Sequence, residues 1–350
     1  MLSFGNYKYE MRAAIHNPYL DTLGGGERYT LGIARVLLAH GFKVDLEWNS
    51  SGILQKLGDR FGLKLNNVNV INDIKRGDGY DLCFWVSDGS IPVLKGRRNI
   101  LHFQVPFHDV NGKSLINRMK LFRINKIVCN SRFTKNVIDK EFGVESVVVY
   151  PPVDISSFKA KRKDNLIISI GRFSHLLQSK GQEVLIDAFK KFSEQAGDWK
   201  LVLAGGTEVG AGDFLRKLEE KSKGYPIEII KSPSFNTLKD LYGRAKFYWS
   251  ASGFGVNGNI HPERLEHFGI AVVEAMSAGA VPFVFNGGGS PEIIDNGENG
   301  FLWKGTSELI RKARSLSGNK KEIRRISQLA RQRAVQFSYD KFEKEISSLL

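Results

Sequence analysis

The sequence is poor in cysteine. Its 350 residues include only Cys83 and Cys129, and each lies inside a short apolar run with the pattern of a β-strand. Thiols in such runs behave as small hydrophobic side chains, and disulfides are rare in the cytosol. We therefore expect two buried, reduced thiols in a cytoplasmic protein.

Long apolar runs are also missing. No window approaches the roughly 18 uninterrupted apolar residues that a transmembrane helix needs. The N-terminal sequence, MLSFGNYKYEMRAAIH, lacks the apolar core of a signal peptide. We expect a soluble protein, or one that binds the cytoplasmic face of a membrane peripherally.

Several common motifs are absent or incomplete. No G-x-x-x-x-G-K-[ST] sequence occurs, so a P-loop is not supported. Residues 253–258, GFGVNG, fit G-x-G-x-x-G, but residues 259–262, NIHP, lack the pattern of the first helical turn that a dinucleotide-binding motif opens. This argues against a dehydrogenase. Zinc-ligand spacing, an RNP-type strand and a recognition-helix motif are missing too, so we predict no nucleic-acid partner.

Acidic residues are too few to balance the basic ones. Lys and Arg number 51 against 37 Asp and Glu, which leaves a net charge of +14. Such an excess indicates an anionic partner, for which nucleic acid, a membrane surface and a phosphorylated ligand are the candidates. Between Lys95 and Lys140 there are eleven basic and two acidic residues, so this stretch alone carries +9.

The centre of this basic stretch, from Lys113 to Lys126, has the pattern of an amphipathic helix. Leu115, Met119 and Phe122 fall on one stripe, with basic residues elsewhere. A basic amphipathic helix is typical of contact with an anionic membrane. The alternative is a helix packed on a sheet with its basic face in solvent.

Short β-branched runs alternate with amphipathic segments along the whole chain. This alternation predicts an α/β protein with parallel sheets. Pro151 and Pro152 interrupt it, a basic polar segment follows, and a second series of strands begins at LIISIG. We predict Rossmann-like domains at residues 1–155 and 156–336, and a C-terminal helix at residues 337–350 that crosses back to the first domain.

Candidate ligand-binding residues follow the strand ends. Arg172 comes directly after LIISIG, and Lys180 stands at the start of the next helical segment. Two cations beside a helix N-terminus can clamp a diphosphate, although solvated loop charges give the same pattern. Gly24, Gly25 and Gly26 precede an amphipathic helix, where a ligand can approach the backbone.

Two further features lie at predicted strand ends. His102 ends the strand NILHF and points into the same crevice if the sheet is parallel, although a lone histidine is more often structural. Residues 287–289 are three glycines after the strand AVPFVF, followed by Ser290 and Pro291, which is a pattern for the start of a helix. Their amides can approach an anion or a sugar, or form only a tight turn.

The segment PERLEHFGIAVVEAM, residues 262–276, holds Glu266 and Glu274 on either side of an apolar run. On one continuous helix, the two carboxylates would lie about 80° apart around the axis, which suits a shared site poorly. A break at residues 267–269 instead places Glu266 before a helix and Glu274 within it. The two carboxylates then address different parts of one ligand.

Over essentially its whole length the chain resembles the GT-B glycosyltransferases, specifically the retaining enzymes of glycosyltransferase family 4. One departure is the segment FSHLLQS between Arg172 and Lys180, which is longer than in many members. The resemblance is carried by GGGER (24–28), ILHFQVP (100–106), CNSRFTKNVI (129–138), SIGR (169–172) with the later KG (180–181), EHFGIAVVEAMSAG (266–279) and GGGSPE (287–292).

This resemblance implies a GT-B fold, in which two Rossmann-like domains face each other across a cleft that holds a nucleotide-sugar. Glu274 would accept hydrogen bonds from the ribose hydroxyls, and Glu266 would face the transferred sugar. A role for Glu266 as nucleophile is the alternative. Arg172 and Lys180 would neutralise the diphosphate and stabilise the leaving nucleoside diphosphate.

The resemblance also implies roles for backbone groups and for one histidine. His102 would lie near the donor sugar, and residues 24–26 would border the phosphates and the acceptor. The amides that would approach the sugar and phosphates are those of His267, Phe268, Gly269 and Ile270.

The implied activity is transfer of a sugar, with retention of configuration, from a UDP- or GDP-sugar to a hydroxyl acceptor. The expected acceptor is a lipid-linked or cell-surface glycan precursor. No D-x-D pair is present, so we expect no metal and no other cofactor. The alternatives are a GT-B-shaped sugar epimerase, a sugar-phosphate synthase and, from another class, a basic nucleic-acid-binding protein.

Overall fold

The computed structural model describes residues 10–22, 24–62, 65–174, 178–208 and 210–350. Within them lie two parallel β-sheets whose strands alternate with helices. The strands of the first sheet, β1 to β7, are Arg12–His16, Lys43–Glu47, Val68–Ile71, Leu82–Val86, Arg98–Phe103, Lys126–Cys129 and Val147–Val148. Those of the second, β8 to β13, are Asp164–Ile170, Lys200–Gly205, Ile227–Lys231, Ala245–Ser250, Val281–Phe285 and Phe301–Trp303.

The helices connect these strands and complete the C-terminal part of the chain. In the first half, α1 to α4 are Gly25–Ala39, Gly52–Phe61, Leu115–Leu121 and Arg132–Phe142. In the second half, α5 to α12 are Gln182–Ser193, Gly212–Ser222, Phe235–Arg244, Ile270–Ser277, Ser290–Ile293, Thr306–Ser317, Lys320–Ala334 and Tyr339–Ser347.

The strand order explains where a ligand can bind. The first sheet runs β3-β2-β1-β4-β5-β6-β7 and the second β10-β9-β8-β11-β12-β13, with parallel pairing throughout. In each sheet the chain builds outward on one side and then crosses to the other, between β1 and β4 and between β8 and β11. Ligands of open α/β sheets bind at the carboxyl edge beside such a crossing. The predicted α/β class with two parallel sheets is therefore confirmed.

Each sheet is packed into its own apolar core. Ile15, Val44 and Phe84 are fully buried in the first, and Ile167, Phe247 and Phe283 in the second. Cys83 and Cys129 are buried free thiols, as predicted from the apolar runs that contain them. Burial raises the pKa of both thiols to about 12, which keeps them protonated at neutral pH.

The C-terminal helix α12 packs against the first domain. Phe342 contacts α1 at Gly32, where a Cβ would lie 2.9 Å from its ring, and meets the ring of Tyr29 edge-on at 5.0 Å. The segment between α11 and α12 contacts the segment that joins the two domains, because the amide of Val153 donates to the carbonyl of Phe337 at 2.9 Å. The chain thus passes between the two domains twice.

Some sequence features do not form the element that their motif would require, and others lie partly outside the described residues. GFGVNG forms turns after β11, and the next helical turn is the short 3-10 segment Pro262–Arg264. The expectation about a signal peptide concerns residues 1–16, of which residues 1–9 lie outside the described residues, and residues 175–177 of FSHLLQS lie outside them too. Within the described ranges, every helix is too short or too polar to cross a membrane.

Candidate active site

Lys180 and Glu266 meet at the carboxyl edge of the second sheet, beside the crossing between β8 and β11. Nζ of Lys180 lies 2.9 Å from Oε2 of Glu266, and both side chains are about one-fifth exposed. Gly171 leaves room for the Lys180 side chain, which would have to shift if position 171 carried a Cβ, because that atom would lie 2.8 Å from Cγ of Lys180. Ser252, just after β11, lies 3.4 Å from the same ammonium.

The ion pair controls the charge of Glu266. Burial alone would raise the pKa of this carboxyl group, but the adjacent Lys180 charge and its hydrogen bond outweigh burial, so the pKa is lowered. Burial lowers the pKa of the neighbouring His267, and this effect outweighs the charge of Glu266, which would raise it. The loop therefore presents a carboxylate next to a neutral imidazole at neutral pH.

Arg172 lies at the same sheet edge but contacts a different partner. Its Nη1 is 3.1 Å from Oε1 of Glu208, and its side chain is 45% exposed. Its carbonyl accepts a hydrogen bond from Nε2 of Gln182 at 2.9 Å, which fixes the backbone after β8. The two predicted cations thus share one edge of the cleft, with Lys180 paired inside it and Arg172 at its solvent side.

The three glycines of GGGSPE support the loop that carries Glu266. A Cβ on Gly288 would lie 2.1 Å from the Glu266 carbonyl oxygen, and one on Gly289 would lie 2.3 Å from that of His267. The amide of Gly289 donates to the Glu266 carbonyl at 2.7 Å. The glycine run therefore forms a turn whose close backbone contacts support the neighbouring loop, and an approach of its amides to a ligand stays a prediction.

Helix α8 starts directly after this loop, as the predicted break at residues 267–269 requires. Gly269 precedes it with φ 114°, a conformation that favours glycine, and no described side chain caps the helix N-terminus. The Phe268 side chain is buried against Tyr150 and Phe337, so this residue offers only its backbone to the cleft. An uncapped helix N-terminus next to a lysine is suited to binding an anion.

Glu274 lies within α8 and is engaged at both carboxylate oxygens. Oε1 is 2.5 Å from Nη1 of Arg28, which belongs to α1 of the first domain, and Oε2 accepts from the Tyr242 hydroxyl at 2.8 Å. Arg28 also lies over the ring of Phe61 at 5.2 Å. Sequence inspection missed Arg28 and Tyr242, although Arg28 ends the motif GGGER, where a charged residue follows three glycines.

The glycine loop of the first domain faces the start of α8. A Cβ on Gly25 would lie 3.0 Å from Cδ1 of Ile270, and one on Gly26 would overlap Oε1 of Gln104 at 2.1 Å. Gly24 is the N-cap residue of α1, and its amide donates to the Glu27 carboxylate at 2.6 Å. The structure therefore brings residues 24–26 and 267–270 to opposite walls of one cleft.

The prediction that His102 points into this crevice is wrong. The ring of His102 is fully buried. Its centroid lies 4.0 Å from that of Tyr29, on which it stacks, and 5.5 Å from that of Phe84. Nδ1 lies 3.0 Å from the Val128 carbonyl, and Nε2 has no hydrogen-bond partner among the described residues. Alternation along β5 turns this side chain into the core, where burial lowers its pKa to about 3.

Two further contacts join the domains beside the site. Nε2 of His108 lies 3.0 Å from Oε2 of Glu263. The carboxylate of Glu292, the last residue of GGGSPE, accepts from the amides of Arg132 and Phe133 at 2.8 and 2.7 Å, at the start of α4. Neither contact is readable from the sequence, because each joins residues more than 150 positions apart. Within the described ranges, no group of three or more His, Cys, Asp or Glu side chains could hold a metal ion.

Two Rossmann-like domains that face each other across a cleft define the GT-B class. In this protein a lysine–carboxylate pair and a helix N-terminus lie on the wall of the cleft that the second domain forms. The chain belongs to the group 1 family of glycosyl transferases: the family model matches residues 153–333, just over half of the chain. The resemblance identified from the sequence motifs is thereby confirmed.

Individual relatives cover the chain to different extents. A Dictyostelium discoideum protein named GDP-Man:Man(3)GlcNAc(2)-PP-Dol alpha-1,2-mannosyltransferase is 29% identical over 236 residues, which are 63% of this chain and 45% of that protein. The chain thus spans less than half the length of this relative. A Rickettsia africae glycosyltransferase structure matches with a TM-score of 0.76 at 18% identity, covering 97% of this chain and 98% of that one. Anabaena HepE with UDP and glucose matches with a TM-score of 0.73 at 16% identity, covering 97% and 99%.

Proposed function

We propose that the protein transfers a sugar from a nucleoside-diphosphate-sugar to a hydroxyl acceptor, with retention of anomeric configuration. One observation carries the proposal: the Lys180–Glu266 pair and Glu274 lie on either side of the uncapped N-terminus of α8, inside the interdomain cleft. This arrangement provides an anion site flanked by two carboxylates, and a nucleotide-sugar has its diphosphate between two groups rich in hydroxyls.

Each residue then has a defined task. Glu274 accepts hydrogen bonds from the ribose hydroxyls, and Glu266 accepts them from the transferred sugar. Lys180, with Arg172 at the solvent side, neutralises the diphosphate and stabilises the leaving nucleoside diphosphate. The backbone amides at the start of α8 add the positive end of its dipole. These charges take over the role of a metal, so the reaction is proposed to need none.

The donor is proposed to be a GDP- or UDP-sugar and the acceptor a lipid-linked glycan precursor. The name of the Dictyostelium relative pairs GDP-Man with the lipid-linked oligosaccharide Man(3)GlcNAc(2)-PP-Dol, while HepE was solved with UDP and glucose. A lipid-linked acceptor agrees with the basic surface of the first domain, because such a substrate is reached at a membrane. We infer that the protein works at the cytoplasmic face of an anionic membrane.

The site assignment can be tested by incubating the protein with GDP- and UDP-sugars and a panel of glycan acceptors, followed by analysis of the products and their anomeric configuration. Glu274→Ala and Lys180→Ala are expected to lose at least about 100-fold in turnover, the usual effect of removing one stabilising group. Glu298→Ala, which changes an exposed carboxylate of the same domain, serves as the control.

Equal turnover in the wild type and the site variants would overturn the assignment. A product of inverted configuration would overturn the retaining mechanism alone. Conversion of the sugar nucleotide without any acceptor would instead identify an epimerase. Thermal stabilisation by GDP or UDP provides an independent measure, because a ligand that binds only the folded state raises its apparent stability.

A further inference from the structure

Helix α3 exposes an apolar surface that is not covered by any of the residues the structure describes. Three large apolar side chains of the helix and that of its C-cap residue are strongly exposed, whereas Leu121 is partly buried against the core of the first domain. We call these four residues the apolar stripe: Leu115 is 74% exposed, Ile116 67%, Met119 63% and Phe122 90%. A soluble protein seldom leaves so many adjacent large apolar groups in water unless they meet another surface. The alternative of a helix packed on a sheet holds for Leu121, but the apolar stripe itself stays in solvent.

The start of the helix is nevertheless anchored to the domain by hydrogen bonds. Ser114 caps its start by accepting from the amide of Asn117 at 3.3 Å. The loop before it is fixed by Glu141, whose carboxylate accepts from the amide of Asp109 at 3.2 Å and from that of Gly112 at 3.0 Å. The exposed stripe is thus presented by a fixed scaffold, and it is not the result of a detached segment.

Basic residues flank the apolar stripe on both sides. At 100° per residue, Arg118 and Lys120 lie on opposite sides of the line through Leu115, Met119 and Phe122. Lys113, Arg123 and Lys126 add charge at the two ends of the segment. Lysine and arginine can extend their charged heads to lipid phosphates while their stems lie along apolar surface.

This combination points to one kind of partner. A symmetric contact with a second copy would place the same cations against each other, which is unfavourable. An anionic lipid surface instead offers phosphates to the flanking cations and acyl chains to the apolar stripe. We propose that α3 docks on an anionic lipid bilayer by inserting the apolar stripe among the acyl chains, with Arg118 and Lys120 at the headgroups.

Helix α3 lies close in the chain to residues that border the cleft, so docking through α3 would bring the cleft near the membrane. The loop that leads from β5 to α3 contains His108, whose Nε2 lies 3.0 Å from Glu263 of the second domain. One short loop therefore connects the edge of the cleft to the helix that carries the apolar stripe. In this respect the inference rests on the proposed function, because a lipid-linked acceptor in the docked bilayer would lie beside the cleft.

Vesicle flotation tests the docking with the full chain. Vesicles contain phosphatidylcholine alone, or phosphatidylcholine and phosphatidylglycerol in equal parts. We expect the wild type to float only with the anionic vesicles and to be released by rising salt. Equal recovery with both vesicle types, or no recovery with either, would overturn the proposal.

Two sets of variants separate the apolar and the electrostatic contributions. Replacing the four residues of the apolar stripe by Gln is expected to abolish flotation with anionic vesicles. Replacing Arg118, Lys120 and Lys126 by Gln is expected to weaken it about 100-fold. The control replaces Lys320, Lys321 and Arg324, three exposed cations of α11, by Gln; it removes the same charge from the second domain and is expected to leave flotation unchanged.

The remaining outcomes are also decisive. Wild-type flotation by the stripe variant, or equal losses in the cation variant and the control, would contradict docking through α3. A dimer in solution that the stripe variant dissociates, without lipid binding, would assign the surface to a second copy. Stabilisation by GDP or UDP should persist in both α3 variants. If no nucleotide stabilises any form while flotation behaves as expected, the proposed function fails and the docking stands.

Discussion

Arg28 and Glu274 form an ion pair across the cleft, with Nη1 of the arginine 2.5 Å from Oε1 of the glutamate. Arg28 comes from α1 of the first domain and Glu274 from α8 of the second. The two side chains are only 18% and 8% exposed, so solvent screens their attraction weakly. The proposed ribose-binding carboxylate is thus oriented by the opposite domain, and the pair joins the two walls of the cleft.

The Arg28–Glu274 pair should show strong energetic coupling. Arg28→Gln and Glu274→Gln are each expected to lower the free energy of unfolding by about 2 kcal/mol, because each leaves a poorly solvated charge without its partner. A double-mutant cycle by urea denaturation should give a coupling of about 1–2 kcal/mol. The exposed pair Glu220–Lys223 should couple by less than about 0.5 kcal/mol. Additive effects of the Arg28 and Glu274 changes would contradict the prediction.

Lys180 should set the pH at which Glu266 loses its charge. Because Lys180 lowers the folded-state pKa of Glu266, the stabilising contribution exists above the ordinary carboxyl pKa and is lost as the pH falls through the lowered value. In Lys180→Met, burial acts without this opposing charge and the pKa rises. We expect turnover about 100-fold lower and an acid limb of the pH-rate profile at higher pH. An unchanged acid limb would exclude the pairing, and Lys217→Met is the control.

Glu292 should stabilise the closed arrangement of the two domains. Its carboxylate accepts from the amides of Arg132 and Phe133 at the start of α4, and from the Tyr150 hydroxyl at 2.9 Å. Glu292→Gln removes the charge that favours a helix N-terminus and is expected to cost about 1–2 kcal/mol in urea denaturation. Glu298→Gln, at an exposed position, should change stability by less than about 0.5 kcal/mol. Equal effects of the two changes would rule out the interdomain cap.

Lys163 should make stability increase with pH in the alkaline range. Burial, aided by the charge of Arg331, lowers its pKa to about 7, while its Nζ donates to the Ala278 carbonyl at the end of α8 at 2.7 Å. At a pH between this value and the ordinary lysine pKa, Lys163 is protonated in the unfolded chain but not in the folded protein. The free energy of unfolding therefore rises with pH by up to about 1.4 kcal/mol per pH unit. The difference in unfolding free energy between wild type and Lys163→Met should show this slope, and a flat difference would contradict it.

Chelators should leave turnover unchanged. Lys180, Arg172 and the N-terminus of α8 supply the positive charge proposed for the diphosphate. Activity measured in excess EDTA should therefore match activity in Mg²⁺ or Mn²⁺. A loss restored specifically by one of these ions would show that a metal carries part of this charge.

Local sequence pattern was enough to predict most of the fold. Buried strands such as LIISIG and AVPFVF are short β-branched runs between helical segments, and β8 and β12 lie at these positions. The break in EHFGIAVVEAM was predictable as well, because a glycine with positive φ must separate Glu266 from α8. By contrast, α2 and β13 were not identified from the sequence, although Ile53, Leu57 and Phe61 recur at helical spacing in α2; β13 has only three residues, too few to show a pattern.

The sequence by itself therefore determined the two sheets, because strand and helix periodicity are local properties of the chain, and the resemblance carried by its motifs implied the cleft that they line. Only the tertiary structure decided that His102 turns into the core, that Arg28 and Glu292 reach the opposite domain, and that α3 leaves its apolar stripe in solvent. These outcomes depend on the direction of a side chain from its strand or helix and on contacts between residues far apart in the chain, and local periodicity determines neither.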